Sequence, residues 1–111
     1  MKLLITLLVT LGISMGSYGS FMTGAQLLER CESEGYKEAV CLGYIQGVAD
    51  AFESLMKLGL MTETICIPNQ VTVGQLTKVV VKYLNEHPEE LHYRADGEVY
   101  LAYAEAFPCE K

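Results

Sequence analysis

Lys37 to Leu58 reads KEAVCLGYIQGVADAFESLMKL, and its wheel decides the fold class. Gln46, Asp50, Glu53 and Lys57 recur at helical spacing as one narrow polar stripe. Around the rest lie Val40, Cys41, Tyr44, Ile45, Val48, Ala49, Ala51, Phe52, Leu55 and Met56. That arc spans about 200°, twice the roughly 100° that one packing face requires. A helix of this kind must be covered on more than one side. Gly59 is placed to stop it as a C′ residue. Gly43, Gly47 and Ala51 fall along one edge of the arc, and each interior glycine costs roughly 1 kcal/mol relative to Ala. The expected return is close approach of another helix backbone. A membrane reading of the Gly-x-x-x-Gly spacing fails, because Asp50 and Glu53 follow directly.

The flanking segments repeat the helical signal. Thr23-Gly24-Ala25-Gln26 and Thr72-Val73-Gly74-Gln75 both have the form of a capping box. The first opens a helix from about Gly24 to Ser33, which Gly35 can stop. The second opens one in which Val73, Leu76, Val79, Val80, Tyr83 and Leu84 follow at helical spacing. The run Val79-Val80-Val81 favours a strand, but cap and period agree on a helix, and Pro88 ends it. A polar loop from His87 to Ala95 follows, with room for one turn starting at Pro88. Asp96 is read as the cap of a last helix, Gly97 to Phe107, stopped by Pro108. The expectation is an all-α domain of four helices in two hairpins.

Ahead of this domain stands a secretory signal. Lys2 is a short positive start, Leu3 to Ile13 an apolar run, and Ser17-Tyr18-Gly19 sets small residues about a cut after Gly19. The apolar run is shorter than the roughly 20 residues of a membrane anchor. The mature chain is then residues 20–111, exported to the periplasm and free of the membrane. A domain of this size buries a modest core, and cross-links are welcome. Four cysteines, Cys31, Cys41, Cys66 and Cys109, in an exported chain read as two disulfides. They stand too far apart in sequence for the close pairs of a zinc motif. Cys31 and Cys41 flank the first interhelix turn; Cys66 precedes the third helix and Cys109 follows the fourth. Pairing 31–41 with 66–109 needs only two antiparallel hairpins. The other two connectivities tie together ends that this plan places apart, and the sequence alone leaves them open.

The 111 residues carry 14 acidic against 8 basic side chains, a formal charge of −6. That argues against a nucleic-acid partner, which needs a basic face, and permits a basic protein. No catalytic constellation stands out. His87 and His92 flank Glu89 and Glu90, but they do not share a helix face as the i, i+4 histidines of zinc helices do. A Cys–His nucleophile pair needs a free thiol. There is no Gly-rich phosphate loop, and no cofactor or metal is expected. The charged loop is the better candidate for recognition: Glu86, Glu89, Glu90, His92, Tyr93 and Asp96, with Arg94 among them.

Four stretches carry a family resemblance: FMTGAQLLERCES (21–33), CLGYIQGVADAFE (41–53), CIPNQVTVGQLTKVVVKYLNEHPEELH (66–92) and AYAEAFPC (102–109). Together they resemble the Rap/Tai family, the immunity proteins against type VI secretion amidase effectors. The resemblance implies a small all-helical periplasmic protein, usually dimeric, that acts by stoichiometric binding. Its partner would be a cognate cell-wall amidase, a cysteine hydrolase of the peptide stem, whose groove it blocks. A different class competes: a small helical acid-stress chaperone, whose carboxylates neutralise on acidification and loosen a dimer. The excess of apolar helix surface predicts a homodimer in either case.

Overall fold

The computed structural model describes residues 21–110. The expected signal segment and the cut after Gly19 lie outside them. Four helices stand in the order α1 (Gly24–Cys31), α2 (Tyr36–Lys57), α3 (Val73–Glu86) and α4 (Ala95–Ala106). A single 3-10 turn, Pro88–Glu90, joins α3 to α4. There is no strand among the described residues, only two isolated antiparallel bridges, Thr23 with Arg94 and Ile65 with Pro108. None of the described helices is long and apolar enough to cross a membrane.

Both capping boxes form. The Thr23 hydroxyl accepts from the Gln26 amide at 3.2 Å, and the Gln26 side chain accepts from the Thr23 amide at 3.0 Å. Thr72 and Gln75 repeat this at 3.1 and 2.8 Å. Each satisfies two otherwise orphaned donors. α2 stops as its glycine requires. Gly59, at φ 71°, donates to the Met56 carbonyl at 3.1 Å, and Leu60 donates to Leu55 at 2.9 Å. This is the Schellman pattern, which depends on a left-handed residue.

Three expected boundaries move. α1 ends at Cys31, and Gly35, at φ 73°, makes the sharp entry into α2, which begins one residue early at Tyr36. The last helix begins at Ala95, so Asp96 is not its cap. The cause is a long-range contact. Arg94 is extended at φ −62°, ψ 135° because it pairs with Thr23, and the Ala95 amide donates to the Met22 carbonyl at 2.8 Å. The backbone contact serves the first helical amide, and the Asp96 carboxylate, from inside the first turn, accepts from the Gly97 amide at 2.9 Å.

The pairing of Cys31 with Cys41 and of Cys66 with Cys109 is formed, with Cα–Cα distances of 5.1 and 5.0 Å. Each staples one hairpin. The core lies between them: Leu27 from α1, Cys41 and Ile45 from α2, Leu76, Val80, Tyr83 and Leu84 from α3, and Ala95, Val99, Ala102 and Tyr103 from α4. The expected apolar period of α3 is the one that enters the core. α2 behaves otherwise. Only Cys41 and Ile45 of its length are buried. Nothing lies within 4 Å of where a Cβ at Gly43 or Gly47 would stand. The helix approach expected at these glycines is not made among the described residues.

Candidate partner-binding site

The loop between α3 and α4 is held from below. α1 presents its first amides to it: Gly24 donates to the Tyr93 carbonyl and Ala25 to the Leu91 carbonyl, both at 2.9 Å. These are N-terminal helix amides with no partner inside their own helix. A Cβ at Gly24 would meet Leu84 Cδ2 at 3.2 Å and Leu91 Cα at 3.5 Å, so the glycine lets α1 lie close. Pro88 opens the 3-10 turn, the Glu90 amide donates to the His87 carbonyl at 3.0 Å, and the Tyr93 amide donates to the Glu90 carbonyl at 2.9 Å. The loop is thus a built turn on a helical floor.

The residues marked by sequence separate into three groups. Glu86, Glu89, His92 and Tyr93 are exposed. Tyr93 is 56% exposed, and the His92 ring lies against it with centroids 4.3 Å apart. Glu86 meets only Lys82, at 3.8 Å on the surface. Arg94 extends the outer patch, with its guanidinium 3.6 Å above the Phe21 ring, a cation–π geometry. Glu90 turns inward instead: its Oε2 accepts from the Tyr83 hydroxyl at 2.9 Å. Asp96 is engaged by its neighbour Arg94. It accepts from Arg94 Nε and Nη2 at 3.1 and 2.8 Å, and the guanidinium holds its carboxyl below the usual carboxylate range. Asp96 lines a shallow concavity of about 320 Å³ with Gly43, Tyr44, Gly47, Val48, Ala51 and Phe52.

A larger groove, about 560 Å³, runs between the second half of α2 and the connection that follows it. Phe52, Met56, Ile65, Ile67 and Tyr103 supply apolar walls, and Glu53, Lys57 and Glu63 stand among its lining residues. Glu63 approaches Cys66 and Cys109, but those sulfurs are engaged in their disulfide. Phe21 and both grooves were missed by sequence reasoning. Phe21 has no local pattern that announces its contact with Arg94, and a groove is a property of two segments together.

The matched sequence now has a structure to sit on. The family model of Rap1a immunity proteins matches residues 23–109, from the first capping threonine to the last disulfide cysteine. The chain belongs to the Rap1a immunity protein family. No curated protein sequence matches it significantly. The match covers all four helices, both disulfides and the charged loop, so the loop belongs to the family domain.

Proposed function

We propose that this protein is a periplasmic immunity protein that binds a cognate type VI secretion peptidoglycan amidase and blocks its active-site groove, sparing the producing cell. The observation that carries the reading is the family match over residues 23–109. The loop adds a means. Glu89, His92 and Tyr93 stand exposed on a turn seated on α1 by two backbone hydrogen bonds. A fixed protrusion loses little freedom on docking. Tyr93 offers an amphipathic anchor of the hot-spot type. Surface carboxylates in a chain of net charge −6 would speed encounter with a basic enzyme.

We further propose that it acts as a homodimer joined through α2. Leu55, Leu58 and Leu60 remain exposed, and Gly43, Gly47 and Ala51 border an open concavity. A second copy bringing its own α2 would cover this face and supply the close helix approach that the glycines permit.

The test is inhibition. The mature protein is titrated into peptidoglycan digests by candidate type VI amidases, with binding followed by calorimetry. Stoichiometric loss of activity with one cognate enzyme, and none with unrelated cell-wall hydrolases, is expected. Failure to bind any member of the amidase class would reject the reading.

A further inference from the structure

Among the described residues Glu98 is the one charged side chain in the core, 1% exposed. Neither of its carboxylate oxygens has a hydrogen-bond donor. A buried carboxylate without a donor is among the costliest groups a small domain can hold. Of the neighbouring charged groups, the one that acts on it most strongly is another carboxyl, Glu90 of the 3-10 turn, which is itself turned into the core toward the Tyr83 hydroxyl. Two facing carboxylates repel, whereas a carboxylic acid donates to a carboxylate. We propose that Glu98 and Glu90 share one proton beneath the Pro88–Tyr93 turn, and that this proton is the latch that keeps the turn seated on α1.

The surroundings favour this assignment. On the 3-10 turn, Glu90 and Glu89 both disfavour a charge on Glu98. On α3, Tyr83 donates its hydroxyl to Glu90, so that carboxyl already has a donor, and Glu98, which has none, is the better site for the proton. His87 at the end of α3 pulls the other way; its own basicity is raised, first by its Nδ1 hydrogen bond to the Tyr83 carbonyl. From α1, Gly24 lies against it: an added Cβ there would stand 3.5 Å from Glu98 Cγ. Glu105, also on α4, acts on Tyr83 and His87. The N-terminal end of α4 favours an anion only modestly, too little to offset burial. Burial, then Glu90, lifts the Glu98 carboxyl to about 7.

The sign follows from proton counting. The unfolded chain releases the Glu98 proton near the ordinary 4.5, and the folded chain holds it to about 7. Stability from this group is complete below the lower value and is lost as pH rises through the upper one. The latch therefore loosens on the alkaline side. It belongs to the turn itself and holds whether or not the turn binds an effector.

Glu98→Gln tests it, since the amide is uncharged, matches the acid in shape and can donate to Glu90. The expected result is a folding equilibrium close to wild type near pH 5 and better by on the order of fiftyfold near pH 8. A difference between the two proteins that does not change with pH would overturn the proposal. The wild-type protein gives a second reading by carboxyl-carbon NMR, where a Glu98 midpoint near 7 is expected and one near 4.5 would overturn it. Hydrogen exchange at the Gly24 and Ala25 amides separates a latch from a mere buried acid. Near pH 8 they should exchange at least about tenfold more slowly in the variant. Unchanged exchange there would reject the latch even with a high midpoint.

Discussion

Tyr103 joins the last helix to the second. Its ring is fully buried, and its hydroxyl donates to the Ile45 carbonyl at 2.8 Å. Tyr103→Phe keeps the ring and removes the donor, so it should cost about 1 kcal/mol in urea unfolding. A variant as stable as wild type would show that the carbonyl needs only its helical partner. Thr23→Ala should cost a similar amount, about 1 kcal/mol, by losing one side of a formed capping box. These two residues differ in how far sequence could go. The capping box is complete within four neighbouring residues, so its chemistry can be read directly. The Tyr103 ring was legible as apolar period, but its hydroxyl partner lies 58 residues away and leaves no local sign. Glu98 is the sharper case. Among Val99, Tyr100 and Leu101 it reads as one of two charges on an apolar helix, and only the packing of the 3-10 turn over it makes it a buried acid.

The same limit applies to helices. The period and stop of α2 were legible, down to Gly59 as its C′ residue, because they depend on neighbours within two turns. What covers its arc was not, because that depends on other elements. Gly47 separates the two possibilities by sign. A Cβ there meets nothing within 4 Å, so in an isolated chain Gly47→Ala should stabilise the helix by roughly 1 kcal/mol. If a second copy packs its helix against this edge, the added methyl intrudes on the contact. The expected outcome is a more stable monomer with a weaker dimer, read by sedimentation at micromolar concentration together with thermal unfolding. The hairpin of α3 and α4 has its own test. Replacing Cys66 and Cys109 with Ser opens the longer disulfide loop and should cost roughly 4 kcal/mol in the loop-entropy model, with the α1–α2 staple intact. The start of α4 shows why one boundary was misplaced: Asp96 has a capping residue's chemistry, but a backbone bridge to Thr23 had already fixed the helix start at Ala95.

Charge across the chain bears on what the protein does. An acid-activated chaperone would loosen as its carboxylates neutralise, yet its most buried carboxyl is held up near 7 and favours the folded state on the acid side. Exposed ion pairs such as Lys37 with Glu29 at 2.6 Å add little either way. Asp96, held low by Arg94, works in the opposite sense and loses its contribution only in stronger acid, so under the proposed latch the turn stays seated through mild acidification. The turn also settles which residues can be changed without harm. Glu90 is tied to Tyr83 and faces Glu98, so charge reversal there would disturb the seat of the turn along with any contact it makes. Glu89 and Tyr93 are exposed, and the Tyr93 carbonyl that Gly24 holds belongs to the backbone. Tyr93→Ala combined with Glu89→Lys should therefore leave helical content, dimer mass and melting temperature close to wild type. It should weaken binding to a cognate amidase by on the order of 2 kcal/mol or more, the size of loss that a central aromatic anchor gives. Rising salt should slow association of the wild type more than that of the variant, because one steering carboxylate has been reversed. Unchanged inhibition by a folded variant would move the contact to the groove between α2 and the Cys66 segment.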